Sequence, residues 1–345
     1  SFNNPVAFSS SPTNDDTLFT YVFTVPGTYD YDCSVGAHAS NGMVGSLIVN
    51  SLVNNITQGL GYSQIQSAID ASTNGDTIIV SPGTYVENLT IEAKTIVLAS
   101  KYLLTNDTSF ISSTIIDGNS AGSVISITHN NQTYPSFSTS QIIGFTVKNG
   151  SPATTGASGA GIYIQGWTNP TIKYCNISNN NSLGSQGGGV MVAGDTYNFD
   201  QQNCQPVFEN LVVRNNSAGT GGGMYFSYSQ PIFNNISVKN NSSNGHGGGI
   251  YVYRGDTVVF NNCDISNNYS EWSGAGIYSY GTANDDITLN NCTINENEIT
   301  GNSSSWNKCL GVAICVYYGG LHINNSTIRA NKYSIGGSNE RSIIY

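Results

Sequence analysis

The residues best suited to chemistry lie in one short stretch near the start of the chain. Cys33, His38 and Met43 bring a thiolate, an imidazole and a thioether onto a single loop. Such a soft donor set suits copper in a trigonal site with a long axial thioether. A second group is spread over several loops: Asp195 and Asp200, then Arg254 and Asp256, then Asp285 and Asp286, beside Tyr228, Tyr253 and Tyr280. If the strands before these loops stack at about 4.8 Å, the side chains fall on one ridge. Aromatic faces with carboxylates suit a polysaccharide or surface glycan, with or without Ca²⁺. The plainer alternative is solvated Asp on loops and Tyr on a pleated surface.

Both groups need scaffolding. Around the first, Phe19 to Cys33 alternates, turns at Pro26-Gly27 and alternates again, and Val44 to Val49 reads as the closing strand. Around the second, a nine-residue unit recurs: Ile142 to Gly150, Ile172 to Asn180, Phe208 to Asn216, Phe233 to Asn241, Phe260 to Asn268, Leu289 to Asn297 and Ile323 to Asn331. The first position is large and apolar and the sixth is β-branched. The ninth is Gly or Asn, which predicts a left-handed corner there and a ladder of Asn side chains between coils. The fourth position holds Cys175, Cys263 and Cys292, expected as core filler. A Gly-Ile-Tyr-type strand precedes each unit, as at Gly249 to Val252, with aliphatics predicted inward and Tyr163, Tyr225, Tyr251 and Tyr278 outward. Repeat spacing runs from 25 residues (Phe208 to Phe233) to 37 (Gly276 to Ala313), as in a solenoid with insertions at some corners.

Composition agrees with an all-β chain. Charged residues are 9% and Gly reaches 39, while good helix formers are scarce. Tyr62 to Ala71 is the one convincing amphipathic helix, expected to cap the solenoid, and residues 51–61 read as a linker. A net charge of −10 with only 11 Lys plus Arg argues against nucleic acid and anionic membrane surfaces as partners. No apolar run is long enough to span a bilayer. Asn-x-Ser/Thr triplets at Asn55, Asn88, Asn106, Asn131, Asn235 and Asn291 fit an extracellular or cell-surface protein. Seven cysteines cannot all pair, and a disulfide among Cys204, Cys309 and Cys315 is left open.

Residues 2–50 resemble the C-terminal half of a plastocyanin/azurin-like cupredoxin, through Pro26-Gly27-Thr28-Tyr29, the strand ending in Cys33, and the Cys33, His38, Met43 loop. The resemblance implies that Cys33, His38 and Met43 ligate copper, with Met43 axial, and that the domain exchanges electrons with a redox partner. The family's other His ligand comes from an earlier strand. No His precedes Cys33, so that ligand is expected upstream of Ser1, and the site is expected to close only in the parent protein. Residues 62–345 resemble the pectin-lyase-like right-handed parallel β-helix proteins, and the pattern is expected to continue past Tyr345. That family includes adhesins and polysaccharide-degrading enzymes, so the resemblance implies either a glycan-binding or structural module or a polysaccharide lyase or hydrolase. Gly245-His246-Gly247 is similar to a polygalacturonase motif, but the accompanying Asp residues are absent, and His246 reads as a solvated turn residue.

Overall fold

The structure, a computed structural model, describes residues 2–9, 20–23, 26–33, 35–129, 138–152, 159–166, 168–182, 184–194, 204–255, 257–301, 311–335 and 338–340. The first strands form a hairpin, Gly27–Asp32 pairing antiparallel with the foreseen closing strand Val44–Val49, whereas residues 20–23, read as a strand before the Pro26-Gly27 turn, form none. Tyr29 is buried beneath Phe8 and Phe23, with ring centroids 6.0 and 4.5 Å away. The Asn4 carboxamide takes the place of a neighbouring strand, donating to the Asp30 carbonyl and accepting from its N–H, each at 2.9 Å.

The rest is a coiled β-structure with three long walls of eight, eleven and nine strands and a fourth, short wall of six. One turn shows the path. The chain runs through Ile250–Tyr253 in wall I, Val258–Asn261 in wall II, Asp264–Ser266 in wall III and Tyr269–Ser270 in the short wall, then returns to wall I at Ile277–Tyr280. Successive coils pair in parallel and in register, as in Ile250 with Ile277 and Phe260 with Leu289. Among the described residues, antiparallel pairing within the coils occurs only at the ends, between Val53–Asn55 and its neighbours and between Lys332–Ile335 and Ser338–Glu340. Alternation sends one side of each strand inward, so Ile162, Val190, Met224, Ile250, Ile277 and Ile314 are all buried. Phe208, Phe233 and Phe260 stack inside wall II at 5.5 and 4.5 Å.

The corners differ from the sequence expectation by one residue. The ninth position is not left-handed. The third and eighth are: Asn210, Asn235, Asn262 and Asn291 at the third have φ of 52–55°, and Asn179, Asn215, Asn240 and Asn267 at the eighth have φ of 54–57°. Two left-handed residues bracket each wall III strand and bend the chain on both sides of it. The ninth Asn serves the other purpose foreseen for it. Asn180, Asn216, Asn241, Asn268, Asn297 and Asn331 are buried and linked in a row, each Nδ2 from Asn180 to Asn297 donating at 3.0 Å to the Oδ1 of the next. That oxygen also accepts the preceding Asn's backbone N–H at 3.0 Å.

The Gly triplets ahead of wall I answer to two constraints. Gly247 is left-handed at φ 66°, and a Cβ on Gly248 would sit 2.2 Å from the Tyr269 carbonyl oxygen of the next coil. At the other end, the helix Ile65–Ala71 buries Ile65, Ala68 and Ile69, and Glu87 accepts the N–H groups of Ile65 and Gln66, each at 2.9 Å. The helix begins three residues later than predicted because Tyr62 ends a strand. Residues 51–61 are likewise no linker. Val53–Asn55 and Leu60–Tyr62 are strands of wall II, and Asn55 is buried with Nδ2 donating to Asp76 at 2.9 Å.

Replacing Asn241 with Val removes the partners of the Asn216 N–H and Nδ2 and of the Val213 carbonyl. This should cost about 3 kcal/mol or more, since each orphaned buried group costs about 1–3 kcal/mol. Asn240→Val carries only left-handed strain, about 1–2 kcal/mol, and Thr293→Val should be nearly neutral. Urea denaturation midpoints in that order support the ladder; equal costs at Asn240 and Asn241 would refute it.

Candidate functional site

The outer face of wall I gathers the aromatic residues. Register aligns Tyr163, Met191, Tyr225, Tyr251, Tyr278 and Cys315 in one column. Two residues further along the strands, Tyr253 and Tyr280 begin a second column on the same face. Within each column the rings stack on one another. Tyr225 stacks on Tyr251 at 4.8 Å, Tyr253 on Tyr280 at 5.8 Å, and Tyr280 on Tyr317 at 5.2 Å. Tyr225 and Tyr278 are consequently buried rather than presented to solvent. Burial and then the neighbouring phenols raise the hydroxyl pKa of Tyr225 and Tyr251, and push Tyr278 up to about 12.

Of the predicted ridge, Tyr228, Tyr253, Arg254 and Tyr280 do come together. Tyr228 meets Tyr253 edge-on at 5.4 Å, and the Arg254 guanidinium lies 5.7 and 5.5 Å from the Tyr228 and Tyr253 ring centres. Its Nη1 reaches the Tyr228 hydroxyl at 3.5 Å. Two of the foreseen carboxylates are described, and each has a partner of its own. Asp285 is buried and accepts from Thr282 Oγ1 at 2.7 Å; Asp286 accepts from Gly320 N at 2.7 Å and faces His322 Nε2 at 3.5 Å. Asp195, Asp200 and Asp256 lie outside the described residues. Tyr317 and Tyr318 extend the array unforeseen, because their coil lacks the Gly-Ile-Tyr signature. Tyr318 stands nearly perpendicular to Tyr280 and Tyr317 and is 50% exposed.

His246 is not a solvated turn residue. It is 9% exposed, stacked on Tyr278 at 4.2 Å with Trp272 edge-on at 5.2 Å, while Trp272 itself is 50% exposed. Burial pushes its pKa down to about 4. Cys175, Cys263 and Cys292 are buried in the core as expected, and burial pushes the Cys175 thiol up to about 11. Cys204 is free and buried, with Sγ 3.2 Å from the Thr168 carbonyl, and Cys315 is disulfide-bonded.

On the hairpin loop, Cys33 Sγ and His38 Nδ1 lie 3.3 Å apart. The Cys33 N–H donates to Met43 O and the Met43 N–H to His38 O, both at 3.0 Å, which closes the loop on itself. The Met43 side chain is 56% exposed. Among the described residues, no three His, Cys, Asp or Glu side chains form a metal-sized cluster, and no helix is long and apolar enough to cross a membrane.

Parallel coils around an apolar core, with an aromatic outer wall, define a β-helix protein. A family model described as a right handed beta helix region matches residues 160–344, which is 185 of the 345 residues, and the chain belongs to that family. The family match starts beyond the hairpin and does not bear on it. No curated protein matches the sequence. Among solved structures, the chain is similar to Escherichia coli YbhC (13% identity, 79% of this chain and 83% of that one, TM-score 0.41). It is also similar to the pectin methylesterase of Aspergillus niger (14%, 78% and 88%, 0.42) and that of the rice weevil (13%, 78% and 87%, 0.36).

The His246 environment generates a pH prediction. Its folded pKa lies below the ordinary 6.5, so between pH 6.5 and 4 the unfolded chain binds a proton that the folded chain refuses. Stability should therefore be full above pH 6.5 and fall on acidification through that window, by on the order of 2 kcal/mol at pH 4.5. Denaturation of His246→Phe should lack this part of the acid dependence, and a resonance assigned to His246 titrating near 6.5 would contradict the burial.

Proposed function

We propose that this chain is an extracellular or cell-surface β-helix whose wall I outer face binds polysaccharide. The observation carrying this reading is the continuous aromatic array on adjacent coils, bounded by Trp272 on one side and by Tyr228 and Arg254 on the other. Because Tyr253, Tyr280 and Tyr317 stack on one another, their faces are largely taken. Their free edges offer phenolic hydroxyls, each both donor and acceptor, to the hydroxyls of a sugar chain. Tyr318 and Trp272 are half exposed and turned edge-on to their neighbours, which leaves ring faces for the apolar side of a pyranose. With a net charge of −10, the chain favours a neutral polymer, and an acidic one would need Ca²⁺ as a bridge.

A glycan array probed with and without chelator should show metal-independent binding of neutral polysaccharide. Tyr318→Ala and Trp272→Ala should each weaken it roughly five- to tenfold, the equivalent of about 1 kcal/mol. Binding unchanged in both variants would move the site elsewhere, and no binding to any glycan would leave the wall a structural surface. Release of unsaturated sugar in the same incubation would favour a lyase, with Arg254 the first base to test.

A second reading is favoured by the Cys33 to His38 distance of 3.3 Å. The two donors are near enough to share one ion, and Met43 belongs to the same closed turn, so the loop fits a soft metal such as copper and, with it, a redox partner. With only one imidazole on the loop, Cu²⁺ should give no intense thiolate-to-copper absorption in this chain. Cu(I), which accepts few soft ligands, should be retained against a competing chelator, and Cys33→Ser should lower its affinity at least tenfold. Equal retention by the variant would remove the loop from consideration.

A further inference from the structure

Asp285 poses a problem that the tyrosine wall does not solve. It is 3% exposed, in the turn that follows the wall I strand Ile277–Tyr280. Thr282 satisfies Oδ1 at 2.7 Å, and the Asp285 N–H donates to the Thr282 carbonyl at 3.1 Å. Oδ2 is buried and has no hydrogen-bond partner. Nor does any cation among the described residues pair with it. Arg254 is the residue placed to do so, since the pairing of Tyr253 with Tyr280 sets it beside Gly281 on the neighbouring coil. Its guanidinium lies instead over Tyr228 and Tyr253.

An ionised carboxylate buried with one oxygen bare is strongly unfavourable unless another charge compensates it. The corner is nevertheless built to hold it there. A Cβ on Gly281 would fall 2.0 Å from Oδ2, and one on Gly319 of the next coil would fall 1.8 Å from the Asp285 carbonyl oxygen. Both positions therefore exclude a side chain. The donors within the turn are oxygens: besides Oδ2, the carbonyls of Gly281, Ala283 and Asn284 accept no backbone hydrogen bond among the described residues. Oxygen donors in irregular geometry suit Ca²⁺, whereas Mg²⁺ demands a near-ideal octahedron and thiophilic metals prefer other ligands.

We propose that Asp285 Oδ2 is a ligand of a bound Ca²⁺-class cation, held by the Gly281–Asp285 turn and completed by water, which neutralises the carboxylate and fixes this corner beneath the tyrosine array. The site stands whether or not the wall binds glycan.

Terbium(III) tests it directly, because it replaces Ca²⁺ and emits when a nearby tyrosine is excited, and Tyr280 is five residues from Asp285. The whole chain should give saturable tyrosine-sensitised emission that Ca²⁺ chases away. Asp285→Asn should reduce that emission at least tenfold, while Asp286→Asn should leave it unchanged. If Asp285→Asn fails to fold, the Ca²⁺ and chelator dependence of melting in the unaltered chain serves in its place. Chelator should lower the melting temperature of the unaltered chain by several degrees. The proposal is overturned if the chain shows no sensitised emission, if Asp285→Asn emits equally, or if melting is indifferent to both Ca²⁺ and chelator.

Discussion

The buried asparagine amide at the ninth position of each coil is the interaction on which the rest of the structure depends. A chain that turns sharply around an apolar core brings backbone N–H and C=O groups inside, where each must find a partner. The Asn216 side chain meets this need on both sides: its oxygen accepts the Asn180 N–H and Nδ2, and its nitrogen donates to the Ile177 carbonyl and to Asn241. Because the partners lie one coil away, the ladder also sets the vertical register. In-register walls follow, and with them the alignment of Tyr251 over Tyr278 and of Tyr253 over Tyr280.

That alignment governs what the outer face offers. Stacked phenols shield one another, which is why hydroxyl edges rather than ring faces dominate wall I, and why the perpendicular Tyr318 and the rim Trp272 matter more than the central rings. The same shielding lifts the phenol pKa values along the first column. Those hydroxyls remain protonated across the whole physiological range and keep their capacity to donate.

The repeat itself was legible because each position has its own physical demand: an apolar first residue, a β-branched sixth and an amide ninth. The corner was misplaced because Asn satisfies two demands at once. It tolerates a left-handed backbone and it forms the ladder, and with Asn at both the eighth and ninth positions of most units, residue type alone does not separate them. The exceptions do. Glu296 and Ala330 occupy the left-handed eighth position at φ 55° and 53°, while the ninth stays Asn from Asn180 onward. His246 and Asp285 were misjudged for another reason: what buries them comes from neighbouring coils, through Trp272 and Tyr278 for the first and Gly319 for the second, and local sequence carries no trace of it. Cys33 and His38, by contrast, approach each other within one loop, five residues apart, where no neighbouring coil intervenes.

The amide ladder has a consequence for how such a chain changes length over evolutionary time. Every interior Asn makes the same bonds to the coil before it and the coil after it, so no rung is specific to its neighbours. A gene duplication or deletion that adds or removes one whole coil leaves every remaining rung satisfied, and the cost of the event is confined to the junction. Loops between walls are free to drift in length meanwhile, as the spacing of 25 to 37 residues records. The number of coils, and hence the reach of the aromatic face, is therefore open to selection without the core having to be redesigned.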